Sequence, residues 1–177
     1  GWAIESRIYA EDPYRNFLPS IGRITRYRPP DERFEQALIV RNDTGVFEGS
    51  EISIHYDPMI ANLCSWAKSR TEALRVMSDS LDEFELDGIG HNIPFLSSVM
   101  RNKKFIKGDI TTAFIEEEFP DGFKSVKLDS SLLKSIAAAC SAMYRVFEIR
   151  RTRITGRMDN HTRVVENDWV VSLGGHN

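Results

Sequence analysis

The chain has 177 residues, of which 41% are hydrophobic and 28% charged, and its formal net charge is −3. Those proportions suit a globular chain of one domain, or one domain with part of another. Apolar runs are short and broken by charge, which excludes a bilayer-spanning helix. The two cysteines, Cys64 and Cys140, form no C-x-x-C pair and have no histidine cluster at zinc spacing, so reduced thiols in an intracellular protein are expected. Charge is unevenly placed. Residues 1–120 hold 14 Lys/Arg against 20 Asp/Glu, and residues 121–177 hold 9 against 6. The change falls at Phe119-Pro120-Asp121-Gly122-Phe123, a turn signal, and marks an expected domain boundary. The opening Gly1-Trp2-Ala3-Ile4-Glu5 has no leader-like character and reads directly as strand, so an upstream continuation is expected.

The first sixty-odd residues read as β structure. Ile4 to Tyr9 alternates, Asp12-Pro13 breaks it, and Pro19-Ser20-Ile21-Gly22 turns into a strand from Arg23 to Tyr27. Pro29-Pro30-Asp31-Glu32 is a loop, and Leu38-Ile39-Val40 leads to Arg41 and a turn at Asp43-Thr44-Gly45. Strands follow at Ile52–Ile54 and from Met59 to Trp66, around Asp57-Pro58. At Ser69 the period changes. Ser69 and Glu72 form a capping box, and Leu74, Met77, Leu81 and Phe84 recur at helical spacing until Asp87-Gly88. Short helices are predicted over Ile93 to Met100 and over Thr112 to Phe119, the latter exposing Glu116, Glu117 and Glu118. Beyond the boundary, Asp129 or Ser130 caps a long helix to about Arg150, with Leu132, Leu133, Ile136, Ala137, Cys140, Tyr144 and Phe147 on its apolar side. Thr162 to Leu173 reads as one or two strands, left unpartnered where the sequence stops, so this second unit is expected to be incomplete.

No P-loop, nucleophile elbow or H-E-x-x-H helix is present. Gly88-Ile89-Gly90-His91-Asn92 imitates the start of a dinucleotide fingerprint. It lacks the third glycine and follows a helix where a strand is required, so that reading is rejected. The four histidines are scattered and read as structural. Six arginines between Arg145 and Arg163 have no aromatic ladder among them in a chain of negative net charge, which points to a solvated face or subunit contact, not nucleic acid. Arg41 stands apart. A guanidinium on a rigid strand end is permanently charged and offers a planar fork of donors to an anion. Its ordinary alternative is a surface ion pair with Asp43 or Glu48.

Four ordered stretches carry a resemblance. Gly1-Trp2-Ala3-Ile4-Glu5-Ser6-Arg7-Ile8-Tyr9-Ala10-Glu11-Asp12-Pro13, Leu18-Pro19-Ser20-Ile21-Gly22-Arg23-Ile24, Val40-Arg41-Asn42-Asp43 and Tyr56-Asp57-Pro58-Met59-Ile60 resemble, in order and spacing, the biotin-carboxylating subunits of biotin-dependent acyl-CoA carboxylases over roughly the first 118 residues. Lys107-Gly108-Asp109-Ile110-Thr111-Thr112, Phe119-Pro120-Asp121-Gly122-Phe123 and the long helix resemble the propionyl-type α subunits, in which this helix opens the domain joining the two enzymatic subunits.

The resemblance implies an α+β fold. A mainly antiparallel sheet with packed helices would form a biotin carboxylase C-terminal domain over residues 1–120. A long helix and the first strands of a β-barrel-like joining domain would follow over residues 124–177. It implies an ATP-dependent ligase using biotin, ATP and Mg2+. ATP activates bicarbonate as carboxyphosphate, CO2 passes to the ureido nitrogen of biotin, and a carboxyltransferase β subunit moves the carboxyl group to propionyl-CoA, giving methylmalonyl-CoA. Arg41 would stabilise the anionic ureido oxygen. Tyr56 and Asp57 belong to a family motif, with Asp57 either supporting Arg41 or simply shaping the turn. Arg70 lies near a position that meets a second copy in homodimeric bacterial biotin carboxylases, although propionyl-type assemblies pack differently. The loop from Arg28 to Gln36 is short for the propionyl type. The ATP lid, the metal-binding glutamates and the bicarbonate base lie upstream of Gly1 in that family, and the biotinylated lysine lies downstream of Asn177. The 177 residues alone are therefore expected to be inactive, and none of these cofactors is expected to bind them tightly. Further partners implied are the biotin carboxyl carrier domain but neither nucleic acid nor membrane, in a bacterial cytoplasm or a mitochondrial matrix. The alternatives are a non-catalytic assembly module that binds the carboxyltransferase subunit, or the same piece of an acetyl- or methylcrotonyl-CoA carboxylase.

Overall fold

Residues 59–67 set the architecture of the first part of the chain. Ala61, Leu63, Ser65 and Ala67 are buried, while Asn62, Cys64 and Trp66 on the opposite side are only half-buried. Successive side chains of an extended segment point to opposite faces, so this pattern makes a central strand with one face covered. The structure is a computed structural model that describes residues 1–124, 128–154 and 164–171. Its main strands are β1 (Trp2–Tyr9), β2 (Arg26–Arg28), β3 (Arg33–Phe34), β4 (Leu38–Thr44), β5 (Met59–Ala67) and β6 (Glu85–Asp87). In the order β1-β5-β4-β3 they form a four-stranded sheet with every pair antiparallel. β2 pairs with β6, Glu11–Asp12 with Leu18–Pro19, and Gly22–Arg23 with Glu51–Ile52. The loop after Arg28 is compact because β3 and β4 meet through a tight hairpin, Glu35 and Leu38 exchanging backbone hydrogen bonds of 3.0 and 3.3 Å.

The covered face carries helix α1 (Arg70–Glu83), which begins at the expected capping box. Ser69 Oγ accepts the Glu72 N–H at 3.2 Å, and the Glu72 carboxylate accepts the Ser69 N–H at 3.3 Å. Ala73, Leu74, Val76, Met77 and Leu81 are buried, and the helix packs on β1, β4 and β5. Small residues at Ala61, Ser65 and Ala67 let it approach closely. Ser65 Oγ donates to the Ala73 carbonyl at 2.9 Å, tying the sheet directly to the helix. This face, with Ile8, Val40 and Leu63, is the centre of the core.

The helix stops at Glu83, earlier than the expected end at Asp87-Gly88. Residues 85–87 alternate exposed, buried, exposed, and Leu86 enters the core opposite Tyr27 as β6. Pairing with β2, reinforced by the Arg26–Glu85 ion pair, outweighs continuation of the helix. The expected strand from Arg23 to Tyr27 is divided between two pairings, and the one expected at Ile52–Ile54 is confined to Glu51–Ile52. Helix α2 (Ile93–Met100) lies where predicted. Helix α3 (Lys103–Lys107) was not anticipated. Asn102 Oδ1 accepts the Lys104 and Phe105 N–H groups at its start, and left-handed Gly108 ends it. Helix α4 (Phe114–Glu118) is shorter than the predicted Thr112–Phe119.

The chain divides into two compact units, Gly1–Ser125 and Val126–Asn177. The second contains helix α5 (Ser130–Thr152), capped by Asp129, whose Oδ1 accepts the Leu132 N–H at 2.7 Å. Its expected apolar side is largely exposed at Leu132, Ile136, Tyr144 and Phe147. Tyr144 meets Trp169 edge-to-face, and Arg145 donates to Asn167 Oδ1 at 2.7 Å. Of the strands expected from Thr162 to Leu173, residues 164–171 form none, and the remainder lies outside the described residues. No described helix is long and apolar enough to cross a membrane.

Two stability measurements follow from this packing. Leu63→Ala should cost about 2–5 kcal/mol in urea unfolding, because Leu63 is fully buried at the centre of the sheet. His91 titrates below its ordinary value because burial disfavours the imidazolium, although the Leu86 backbone and Asp87 pull the other way. The neutral ring is thus favoured in the fold. Its contribution is fully present above the unfolded value and is lost as pH falls from that value through the lower, folded one. His91→Gln should therefore reduce the loss of unfolding free energy between about pH 7.5 and about pH 5.5.

Candidate functional site

The face of the sheet opposite α1 is built by register. Glu5, Cys64 and Arg41 lie in one row across β1, β5 and β4, and Arg7, Asn62 and Asp43 lie in the next. The side chains of Glu5, Arg7, Arg41 and Asp43 are exposed, and Cys64 and Asn62 are half-buried between them. Each strand flanking β5 thus presents an arginine and a carboxylate two residues apart, on the same side, with opposite order on the two strands.

Arg41 is clamped from its own strand. Its Nε donates to Asp43 Oδ2 at 3.0 Å, and one terminal amino group reaches the same oxygen at 2.8 Å. That amino group also lies 4.0 Å from Cys64 Sγ. The bond to Asp43 holds the guanidinium above its already high ordinary value. The ion pair with Asp43 is therefore present, while Glu48 pairs with Arg28 instead, at 2.8 Å. Arg41 keeps 53% of its side chain accessible, so the pair orients the cation without enclosing it. Burial pushes the Cys64 thiol up, against the opposing pull of the Arg41 charge.

Arg7 was not singled out by sequence reasoning, and the structure places it on this face. Its Nε donates to Glu5 Oε1 at 3.1 Å, and its side chain is 64% accessible. Glu5 first, and then the Tyr9 hydroxyl, stabilise its charge. The Arg7 side chain is more accessible than that of Arg41, 64% against 53%, so more of its fork is open to a ligand. The signal was available: in an alternating strand, Glu5, Arg7 and Tyr9 must share the side opposite Ser6 and Ile8.

Tyr56 and Asp57 are placed differently. Asp57 Oδ1 accepts the Met59 N–H at 3.0 Å, closing the turn into β5, and Tyr56 is 81% exposed in the preceding loop. The described hydrogen bonds and ion pairs link neither residue to Arg41. Asp57 acts instead on Glu11, whose carboxyl is raised by burial and, secondarily, by that neighbouring charge. Arg70 has its guanidinium over the Phe105 ring and bonds the Phe105 carbonyl. Among the described residues no group of three His, Cys, Asp or Glu side chains is arranged to hold a metal ion.

The part of the chain that builds this sheet and α1 belongs to a known family. Residues 5–117 match the biotin carboxylase C-terminal domain, and residues 136–177 match the propionyl-coenzyme A carboxylase BT domain. The chain belongs to the biotin carboxylase C-terminal domain family. It is 59% identical to the propionyl-CoA carboxylase alpha chain of Ruegeria pomeroyi, over 99% of this chain and 28% of that protein. It is 46% identical to the human mitochondrial propionyl-CoA carboxylase alpha chain, over 99% of this chain and 24% of that one. The chain thus spans about a quarter of the length of these relatives. Among solved structures, the biotin carboxylase subunit of pyruvate carboxylase matches with a TM-score of 0.64 and 38% identity, over 72% of this chain and 27% of that one. The biotin carboxylase domain dimer of Hydrogenobacter thermophilus 2-oxoglutarate carboxylase, in complex with MgADP, ADP and bicarbonate, matches with the same TM-score and coverage at 37% identity.

The Arg41–Cys64 contact can be checked chemically. Alkylation of Cys64 by iodoacetamide, followed by peptide mass spectrometry, should be slow at neutral pH because the thiolate is the reactive form. Arg41→Ala should slow it further at equal pH, since a charge that lowers the thiol's value is lost. Faster labelling in the variant would mean that shielding by the arginine outweighs its charge.

Proposed function

We propose that the open face of the four-stranded sheet is one wall of a biotin-carboxylating site, in an α subunit of the propionyl-CoA carboxylase type. The observation that carries this reading is the pair of arginines, each fixed by its own carboxylate, on one accessible face in a chain of this family. Biotin, when bound, would supply the ureido nitrogen that takes the carboxyl group, with negative charge gathering on the ureido oxygen. Arg41 meets that charge as a cation already oriented by Asp43, so little reorganisation is needed when the charge develops. A second reading gives this task to Arg7, favoured by the more open fork of its guanidinium. ATP, Mg2+ and bicarbonate enter through the family and are assigned to no residue of this chain. Tyr56 and Asp57 are proposed as supports of the loop that leads into β5, acting on the face through its backbone.

The same reading divides the chain into a biotin carboxylase C-terminal domain over residues 1–120 and the start of a joining domain from residue 124. The BT-domain match supports the carboxyltransferase β subunit as partner of the second unit, and the biotin carboxyl carrier domain as visitor to the arginine face. Propionyl-CoA is the proposed acceptor of the carboxyl group, on the strength of the 59% and 46% identities to propionyl-type chains.

The test uses the full-length subunit assembled with its partner. Arg41→Ala should lower carboxylation of free biotin about a hundredfold with the KM for ATP little changed. Arg7→Ala, measured alongside, assigns the oxyanion: the variant with the larger loss in kcat marks the arginine that meets the developing charge. Wild-type rates in both variants would remove this face from the reaction.

A further inference from the structure

The stretch Gly88-Ile89-Gly90-His91-Asn92, rejected above as a nucleotide fingerprint, has another use in the fold. It ends at Asn92 beside the outer edge of β1, which is an edge strand of the sheet. An edge strand presents backbone groups that no neighbouring strand satisfies. Asn92 takes the place of that neighbour. Its Oδ1 accepts the Tyr9 N–H at 2.9 Å, its Nδ2 donates to the Arg7 carbonyl at 3.0 Å, and its own N–H donates to the Tyr9 carbonyl at 3.2 Å. The residue is 6% exposed, so these bonds are protected from water. They bracket the point at which the register of β1 against β5 shifts, between Ile8 and Tyr9. A shift of that kind re-aims the strand beside it, and here it falls between Ile8 and Tyr9, one residue beyond Arg7.

The clamp is itself held. Gly90 N–H donates to Ser20 Oγ at 2.8 Å, and Asn92 O accepts the Leu96 N–H as α2 begins. Gly88 adopts a φ of +101°, and a Cβ there would come within 2.3 Å of the Arg23 carbonyl oxygen, so only glycine lets the loop pass so close to that backbone. We infer that Asn92 is a positioning residue, which fixes the backbone of Arg7 and Tyr9 and so sets the direction in which the Arg7 guanidinium faces its anionic ligand. The inference rests on the proposal that the arginine face serves biotin carboxylation.

A double-mutant cycle in the full-length subunit, assembled with its partner, tests it. Asn92→Ala should lower kcat/KM for free biotin about tenfold, as expected for a displaced cation, with the KM for ATP within about twofold of wild type. In the Arg7→Ala background, Asn92→Ala should cause no further loss, because Asn92 acts through that arginine. Ser20→Ala loosens the clamp without touching Asn92, and covers the case in which Asn92→Ala does not fold. It should lower kcat/KM for biotin about threefold and be silent in the Arg7→Ala background. Additive losses, or no loss from either clamp variant, would overturn the inference while leaving the site in place. No loss from Arg7→Ala itself would overturn the role of that arginine, and the inference with it.

Discussion

The sheet depends on the two-sided character of β5. On one side, Ala61, Ser65 and Ala67 are small enough for α1 to lie close, and Leu63 fills the space between them. On the other, Asn62 and Cys64 separate the charged groups of β1 and β4. A one-residue slip would exchange the two sides. Cys64 and Asn62 would then enter the core, Leu63 would face water, and Glu5 and Arg41 would no longer have Cys64 between them. Core packing and the geometry of the charged face are therefore set by one register.

Much of this was legible from local chemistry. The capping box at Ser69 and Glu72, the helix over Ile93–Met100 and the Asp129 cap all depend on residues near one another in sequence, and they formed as read. The errors arose where distant segments compete for the same residues. Glu85–Asp87 continues a helical pattern by composition, but Tyr27 and Arg26 offer a strand partner that only the tertiary structure supplies. Helix α3 was missed because five residues give too short a run for periodicity, although Asn102 and Gly108 marked both its ends.

The candidate site followed the same division. Arg41 stood out because a strand and a turn flank it, and its ion pair with Asp43 is a two-residue relation visible in the sequence. Arg7 shares its face only because β5 lies between the two strands, which no local pattern announces. Asn92 was harder still. Its partners are 83 and 85 residues away, and its neighbouring glycines suggested a nucleotide loop. The physical need that identifies it is the set of open backbone groups on an edge strand, which becomes visible only once strand order is known.

Helix α5 runs for 23 residues, close to 35 Å at the usual rise of about 1.5 Å per residue. Its middle is rich in alanine, at Ala137, Ala138, Ala139 and Ala142, so the backbone has strong intrinsic reason to be helical. Its stripe of Leu132, Ile136, Tyr144 and Phe147 nevertheless faces solvent. A surface that comes to cover the stripe would meet a rod already wound, with little chain entropy left to surrender on contact. Such an association would be limited by the desolvation and fit of a few large side chains, and not by folding.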